Sequence, residues 1–270
     1  MEGLTSVAAT PRLDVTRAQR TLVRTDGARL AVTDWGGEGP PFVLVHGLTS
    51  SQEQFNALAA ELSDRCRVVT YDQRYHGRST GNADYSWAAF VGDLEAVLAE
   101  LELRDVTLVG HSFGAGIVLD VGARSLDCRA LALLDGALPV AETAPHGGRL
   151  HLFVRSLVMF ARWILLRPFH RVHSLSSSKL RQVGNDYRGR HAQYESDLRA
   201  LACPTMLLLG SEVEAGQGGP PFQKVRREAA LRTAQANPDI DVQWINARHD
   251  MIMTHPKEIA ASLFRLRALD

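Results

Sequence analysis

The 270-residue chain predicts an α/β fold: a mostly parallel, eight-stranded sheet with helices on both faces and a helical cap insertion. Three observations carry that expectation. Short runs that are apolar on both faces alternate with longer segments of helical periodicity. Turn-forming residues punctuate the boundaries between them. One interruption, residues 139–200, is far longer than an ordinary connection, which divides the chain into a core of residues 1–138 and 201–270 and an inserted cap.

Residues 1–18 mix Thr, Ala, Arg and Pro11 without periodicity and read as a lead-in. Thr21–Thr25 and Arg29–Asp34 flank Asp26-Gly27, a hairpin signal. Phe42–Val45 then follows a Gly- and Pro-rich turn and stops at His46-Gly47. Gln54–Leu62 has helical spacing, with Phe55, Leu58 and Leu62 on one face. Arg67–Tyr71 reads as a strand, Trp87–Leu101 as a helix, Val106–Gly110 as a strand and Phe113–Arg124 as a helix. Ala130–Leu134 is a further strand before the insertion. After it come strand Thr205–Leu209, helix Lys224–Ala236, strand Val242–Ile245 and helix His255–Leu266. Ligands of such sheets bind beyond the carboxyl ends of the strands, so functional residues are sought there.

Thirty basic residues balance thirty acidic ones, and this neutrality argues against a protein that coats nucleic acid. Only three lysines are present, so lysine-based chemistry is poorly supplied. Cys66, Cys128 and Cys203 are odd in number and widely spaced, which fits idle thiols in a reducing compartment better than a disulfide frame or zinc site. No basic start followed by an apolar run marks a signal peptide, so a cytoplasmic location is expected. Neither a cofactor nor a metal is expected. The apolar stretch Leu150–Phe169 is interrupted by Arg155 and Arg162, so membrane contact is not expected.

Gly110-His111-Ser112-Phe113-Gly114 sits between a predicted strand and a predicted helix. Small residues at both ends permit a sharp strand-to-helix turn that lifts the Ser112 hydroxyl clear of the sheet. A nucleophile there needs donors for a developing oxyanion, and the backbone N–H groups of Leu48 and Phe113 are the candidates. Gly47 allows the Leu48 loop to turn tightly.

On these residues the chain resembles the α/β-hydrolases. The stretch Asp72-Gln73-Arg74-Tyr75-His76-Gly77-Arg78-Ser79 also resembles that family's D-x-R-G-x-G-x-S turn, with Tyr75 where glycine is usual. The resemblance runs from about Thr21 to the C-terminus, the insertion apart. It implies metal-free hydrolysis of a small-molecule acyl substrate: an ester or lactone first, a thioester, amide or C–C bond otherwise. His249, on the loop after the last strand, is the implied base. The implied acid would follow the seventh strand, where Val213 stands between Glu212 and Glu214. Asp135, at the end of the preceding strand, is favoured over both glutamates because the usual position is vacant and its length suits the role. His46, Gly47, His111 and Trp163 are expected to contact substrate. Between Glu142 and Asp186 the insertion carries arginines and apolar residues but no acid, the pattern of a cap helix that packs its apolar residues on the core and solvates its arginines, with a basic lid over an anionic or carrier-bound acyl substrate as the alternative. The alternative is a protein of the same fold that acts as a small-molecule receptor, or as an isomerase, cyclase or cofactor-free oxygenase.

Overall fold

The computed structural model describes residues 17–124, 127–140, 173–212 and 219–267. Its strands are β1 (Ala18–Val23), β2 (Arg29–Asp34), β3 (Pro41–Val45), β4 (Arg67–Tyr71), β5 (Val106–His111), β6 (Cys128–Leu134), β7 (Thr205–Gly210) and β8 (Ile240–Ile245). The helices are α1 (Asn56–Ser63), α2 (Trp87–Glu100), α3 (Phe113–Gly122), α4 (Ser177–Gly189), α5 (His191–Ala200), α6 (Gly219–Ala236), α7 (Met251–Thr254) and α8 (Pro256–Arg267).

All eight strands form one sheet in the order β1-β2-β4-β3-β5-β6-β7-β8. β1 and β2 pair antiparallel, as do β2 and β4, and every other pair is parallel. The apolar-on-both-faces strands have the expected cause. Val43 and Val45 of β3 point into a core with Phe90 and Leu94 of α2 and Ile117 of α3. Phe42 and Leu44 of the same strand point the other way, against Leu58 and Leu62 of α1 and Ile259 and Leu263 of α8. Each strand residue thus meets a helix, whichever face it takes.

Several boundaries differ from the sequence expectation. The first hairpin closes at Val23–Arg29, because Asp26 caps the Ala28 N–H at 2.9 Å and Gly27 takes φ 85°. α6 begins at Gly219 rather than Lys224: Pro220 and Pro221 fall in the first helical turn, where a missing N–H costs no hydrogen bond. The final helix is two, separated at His255 (φ −129°, ψ 42°), since Pro256 keeps the preceding residue out of the helical region. Of the insertion, residues 141–172 lie outside the described residues. Its remainder contains α4 and α5.

No helix among the described residues is long and apolar enough to cross a membrane.

Candidate active site

The strand order reverses at β3, which has β4 on one side and β5 on the other. A crevice opens beyond the carboxyl ends of two strands at such a point. The loops that leave β3 and β5 carry Gly47-Leu48 and Ser112.

Ser112 has φ 54° and ψ −114°, a conformation that costs a non-glycine residue about 1–3 kcal/mol. Its neighbours make this turn possible. A methyl group on Gly110 would collide with the Gly114 carbonyl, and one on Gly114 with the Val45 carbonyl of β3. The turn is anchored by the Ser112 N–H, which donates to Leu134 O at 2.9 Å. Phe113 is the first residue of α3, so its N–H has no partner four residues earlier in the helix. Gly47 lies against the elbow: a methyl there would stand 3.4 Å from Ser112 Cβ.

The loop after β3 is held from behind. His46 is fully buried; its Nδ1–H donates to Gly47 O at 2.8 Å and its Nε2 accepts the Gln73 N–H at 3.0 Å. His76, also fully buried, donates from Nδ1 to Arg74 O at 2.9 Å and accepts the Thr49 N–H at 3.3 Å. Burial lowers both imidazole pKa values, His76 far below the usual range. Asp72 accepts from Gln52 N, Gln52 Nε2 and Arg78 N. Arg74, 1% exposed, is clamped by Asp93 through two 2.7 Å bonds and by Asp26 at 3.0 Å. The Asp72–Ser79 turn is therefore a brace. Tyr75, at φ 64°, packs edge-on against Tyr85, and its carbonyl accepts from Ser174 as the insertion returns.

His249 donates from Nδ1 to Asp135 Oδ2 at 2.6 Å. The other Asp135 oxygen accepts from Gly210 N at 3.0 Å and from the Arg226 guanidinium. Burial opposes ionisation of Asp135. The His249 hydrogen bond, the charges of His249 and Arg226 and the Gly210 N–H outweigh it, and hold the carboxyl below its usual range. Glu212 instead pairs at the surface with Arg248, 3.4 Å away, and Glu214 lies outside the described residues.

His111 joins this pair to the elbow. Its Nε2–H donates to the His249 carbonyl at 2.8 Å and its ring lies 4.7 Å from the His249 ring. Gln54 Nε2 donates to its Nδ1 at 3.3 Å. Burial and the neighbouring His249 lower its pKa to about 3, so His111 stays neutral.

Of the residues expected to contact substrate, His46 and His111 have both ring nitrogens committed within the protein and are buried, so they brace loops. Gly47 is at the elbow, and Trp163 lies outside the described residues.

Two further residues had no local sequence signal. Arg226 reads as the solvated face of a helix, yet it is 7% exposed because it reaches Asp135 and Gly210 O. Tyr187 of α4 donates its hydroxyl to Ser112 O at 3.2 Å and stacks on Trp87. Asp120 then ties the region together, accepting from Trp87 Nε1 at 2.7 Å and Arg190 at 2.5 Å.

Comparison with known proteins agrees with this architecture. A non-heme chloroperoxidase CPO-A1 of Kitasatospora aureofaciens is 37% identical over 117 residues, 42% of each chain, so the match spans less than half of that relative. A non-heme haloperoxidase of Rhodococcus erythropolis is 36% identical over 218 residues, 69% of this chain and 79% of the relative. A solved thioesterase domain from the curacin biosynthetic pathway superposes with a TM-score of 0.69 at 20% identity, over 92% of this chain and 99% of that one, a likeness of fold. The sequence pattern of the Alpha/beta hydrolase family matches residues 42–262. With its reversal of strand order at β3 and a strained Ser112 at the end of β5, the chain belongs to the Alpha/beta hydrolase family.

Proposed function

We infer that the chain is a serine hydrolase of a small-molecule carboxylic ester or lactone, working through Ser112, His249 and Asp135. The observation that carries this reading is the 2.6 Å hydrogen bond from His249 Nδ1 to Asp135, held beside the elbow by the His111–His249 contact. With Nδ1 protonated and bonded to the carboxylate, neutral His249 keeps Nε2 as the basic nitrogen. Nε2 takes the Ser112 proton as the hydroxyl oxygen attacks the acyl carbon. The backbone N–H groups of Leu48 and Phe113 receive the oxyanion, and Asp135 stabilises the imidazolium. The imidazolium returns its proton to the leaving alcohol. Water, deprotonated by His249, then releases the acid from Ser112. The insertion 139–200 acts as the lid, a role supported by the docking of α4 beside Ser112 through Tyr187.

A fluorophosphonate probe, followed by intact mass, tests the assignment. Wild-type protein is expected to gain one phosphonyl group and Ser112→Ala none. Asp135→Asn should slow aryl-ester turnover by about 10⁴-fold, whereas Glu212→Gln should change it little. Labelling that persists in Ser112→Ala, or a larger loss for Glu212→Gln, would overturn the triad.

The names of the two bacterial relatives favour a second reading on the same site. An acyl-serine attacked by hydrogen peroxide instead of water releases a peracid, which oxidises halide. Halogenation that requires both a short carboxylic acid and peroxide, and is lost in Ser112→Ala, would support it.

A further inference from the structure

Cys128 opens β6 and Cys203 lies two residues before β7, at the end of the sheet opposite Ser112. β6 contains a bulge: Val106 pairs with Cys128, but the next residue of β5, Thr107, pairs with Ala130. The extra residue, Arg129, reverses the alternation and turns Cys128 onto the face of Leu131. Leu131 pairs with Thr205 and donates to Pro204 O at 3.0 Å, which brings Cys203 alongside the bulge. Both cysteines pack against the same apolar cluster, close enough for each thiol to act on the other's ionisation, and the Cys128 thiol donates to Ala130 O at 3.4 Å. Both are half-buried, while Cys66 is fully buried. Cys128 also lines a surface cavity of about 550 Å³, with Leu98, Leu103 and Arg124. Ser112 does not line this cavity, and Cys203 keeps a partly exposed surface of its own.

We propose that Cys128 and Cys203 form a dithiol that hydroperoxides oxidise to an intramolecular disulfide, a modification site independent of the serine chemistry. The Cys203 thiolate attacks a peroxide oxygen, the O–O bond breaks, and the departing hydroxide or alkoxide takes up a proton to leave as water or alcohol. Cys203 becomes a sulfenic acid. The Cys128 sulfur then attacks that sulfur, the S–O bond breaks, and water leaves with the Cys128 proton. The peroxide accepts the two electrons that the pair of sulfurs gives up. Cys203 acts first because the neighbouring Cys128 draws its thiol down to about 7, whereas Cys203 and burial push the Cys128 thiol up. The cross-link joins the start of β6 to the segment returning from the insertion, and closes a loop of 75 residues.

The test treats reduced full-length protein with hydrogen peroxide, then counts thiols with a maleimide under denaturing conditions and maps peptides by mass. The three thiols are expected to fall to one, with a Cys128–Cys203 peptide pair about 2 Da lighter and restored by dithiothreitol. The oxidised form should melt about 5 °C or more above the reduced form, since the closed loop is long. Cys203→Ser should form no cross-link, and Cys128→Ser should stop at a sulfenic acid on residue 203's thiol that dimedone captures. The wild-type peptide map stands even where a variant folds poorly. Three thiols persisting after peroxide, over-oxidised but unlinked cysteines, or disulfides formed only between molecules would each overturn the proposal.

Discussion

Asp135 is a shared carboxylate, and that sharing fixes its orientation toward His249 on the proposed mechanism. Oδ2 takes the imidazole N–H while Oδ1 faces the buried Arg226 guanidinium. The arginine and the Gly210 N–H hold Oδ1, which leaves Oδ2 facing Nδ1 of His249. Replacing Arg226 by glutamine should lower aryl-ester turnover on the order of 10-fold, because Oδ1 loses the partner that fixes the carboxylate toward His249. It should also lower stability, because one oxygen of a buried carboxylate loses a charged partner. Turnover that stays unchanged while the melting temperature falls would make Arg226 structural alone.

Among the elements, α3 is limited by sterics at its start. Gly114 packs on the backbone of β3, so Gly114→Ala must push α3 off the sheet or distort the elbow. A loss of about 3 kcal/mol or more, or a failure to fold, is expected in urea denaturation. Gly184 is the counterexample, in α4, where a methyl group would meet only the end of Arg188 at 3.7 Å. Gly184→Ala should stabilise by about 0.5–1 kcal/mol through helix propensity. α4 also bears on the nucleophile. Tyr187→Phe removes the hydroxyl that donates to Ser112 O and should cost about 1 kcal/mol of stability, with a fall in turnover larger than any change in KM. A pure KM effect would place Tyr187 with substrate binding instead.

At the scale of the whole molecule, acid sensitivity follows from the buried histidines. His46, His76 and His111 are neutral in the fold, with pKa values pushed below the unfolded value near 6.5, His111 to about 3. Below pH 6.5 the unfolded chain binds protons that the folded chain refuses. The stability these groups confer is therefore full above pH 6.5 and is lost as pH falls toward their folded values. Each contributes a slope of up to about 1.4 kcal/mol per pH unit. Asp135 adds a loss of the same sign at lower pH, as its depressed carboxyl protonates. Urea midpoints at pH 7, 6 and 5 should drop steeply, and His111→Gln should flatten that slope. An unchanged slope would mean that His111 protonates as readily folded as unfolded.

Sequence alone determined the layering of this protein. Runs such as Phe42–Val45 and Met206–Leu209 are apolar at every position, which only a strand covered on both faces tolerates. It also determined the turn at Ser112, because Gly110 and Gly114 are small exactly where the backbone crowds, a local requirement written in adjacent residues. The tertiary structure alone decided which carboxylate meets His249. Asp135 and His249 are 114 residues apart, and only the pairing of β6 with β7, and β7 with β8, makes them neighbours. It likewise buried Arg226, tied Tyr187 to Ser112 and set Cys128 beside Cys203, contacts for which no spacing in the chain exists. Periodicity records how a residue faces its own strand or helix; which distant side chain it meets depends on how the strands are ordered.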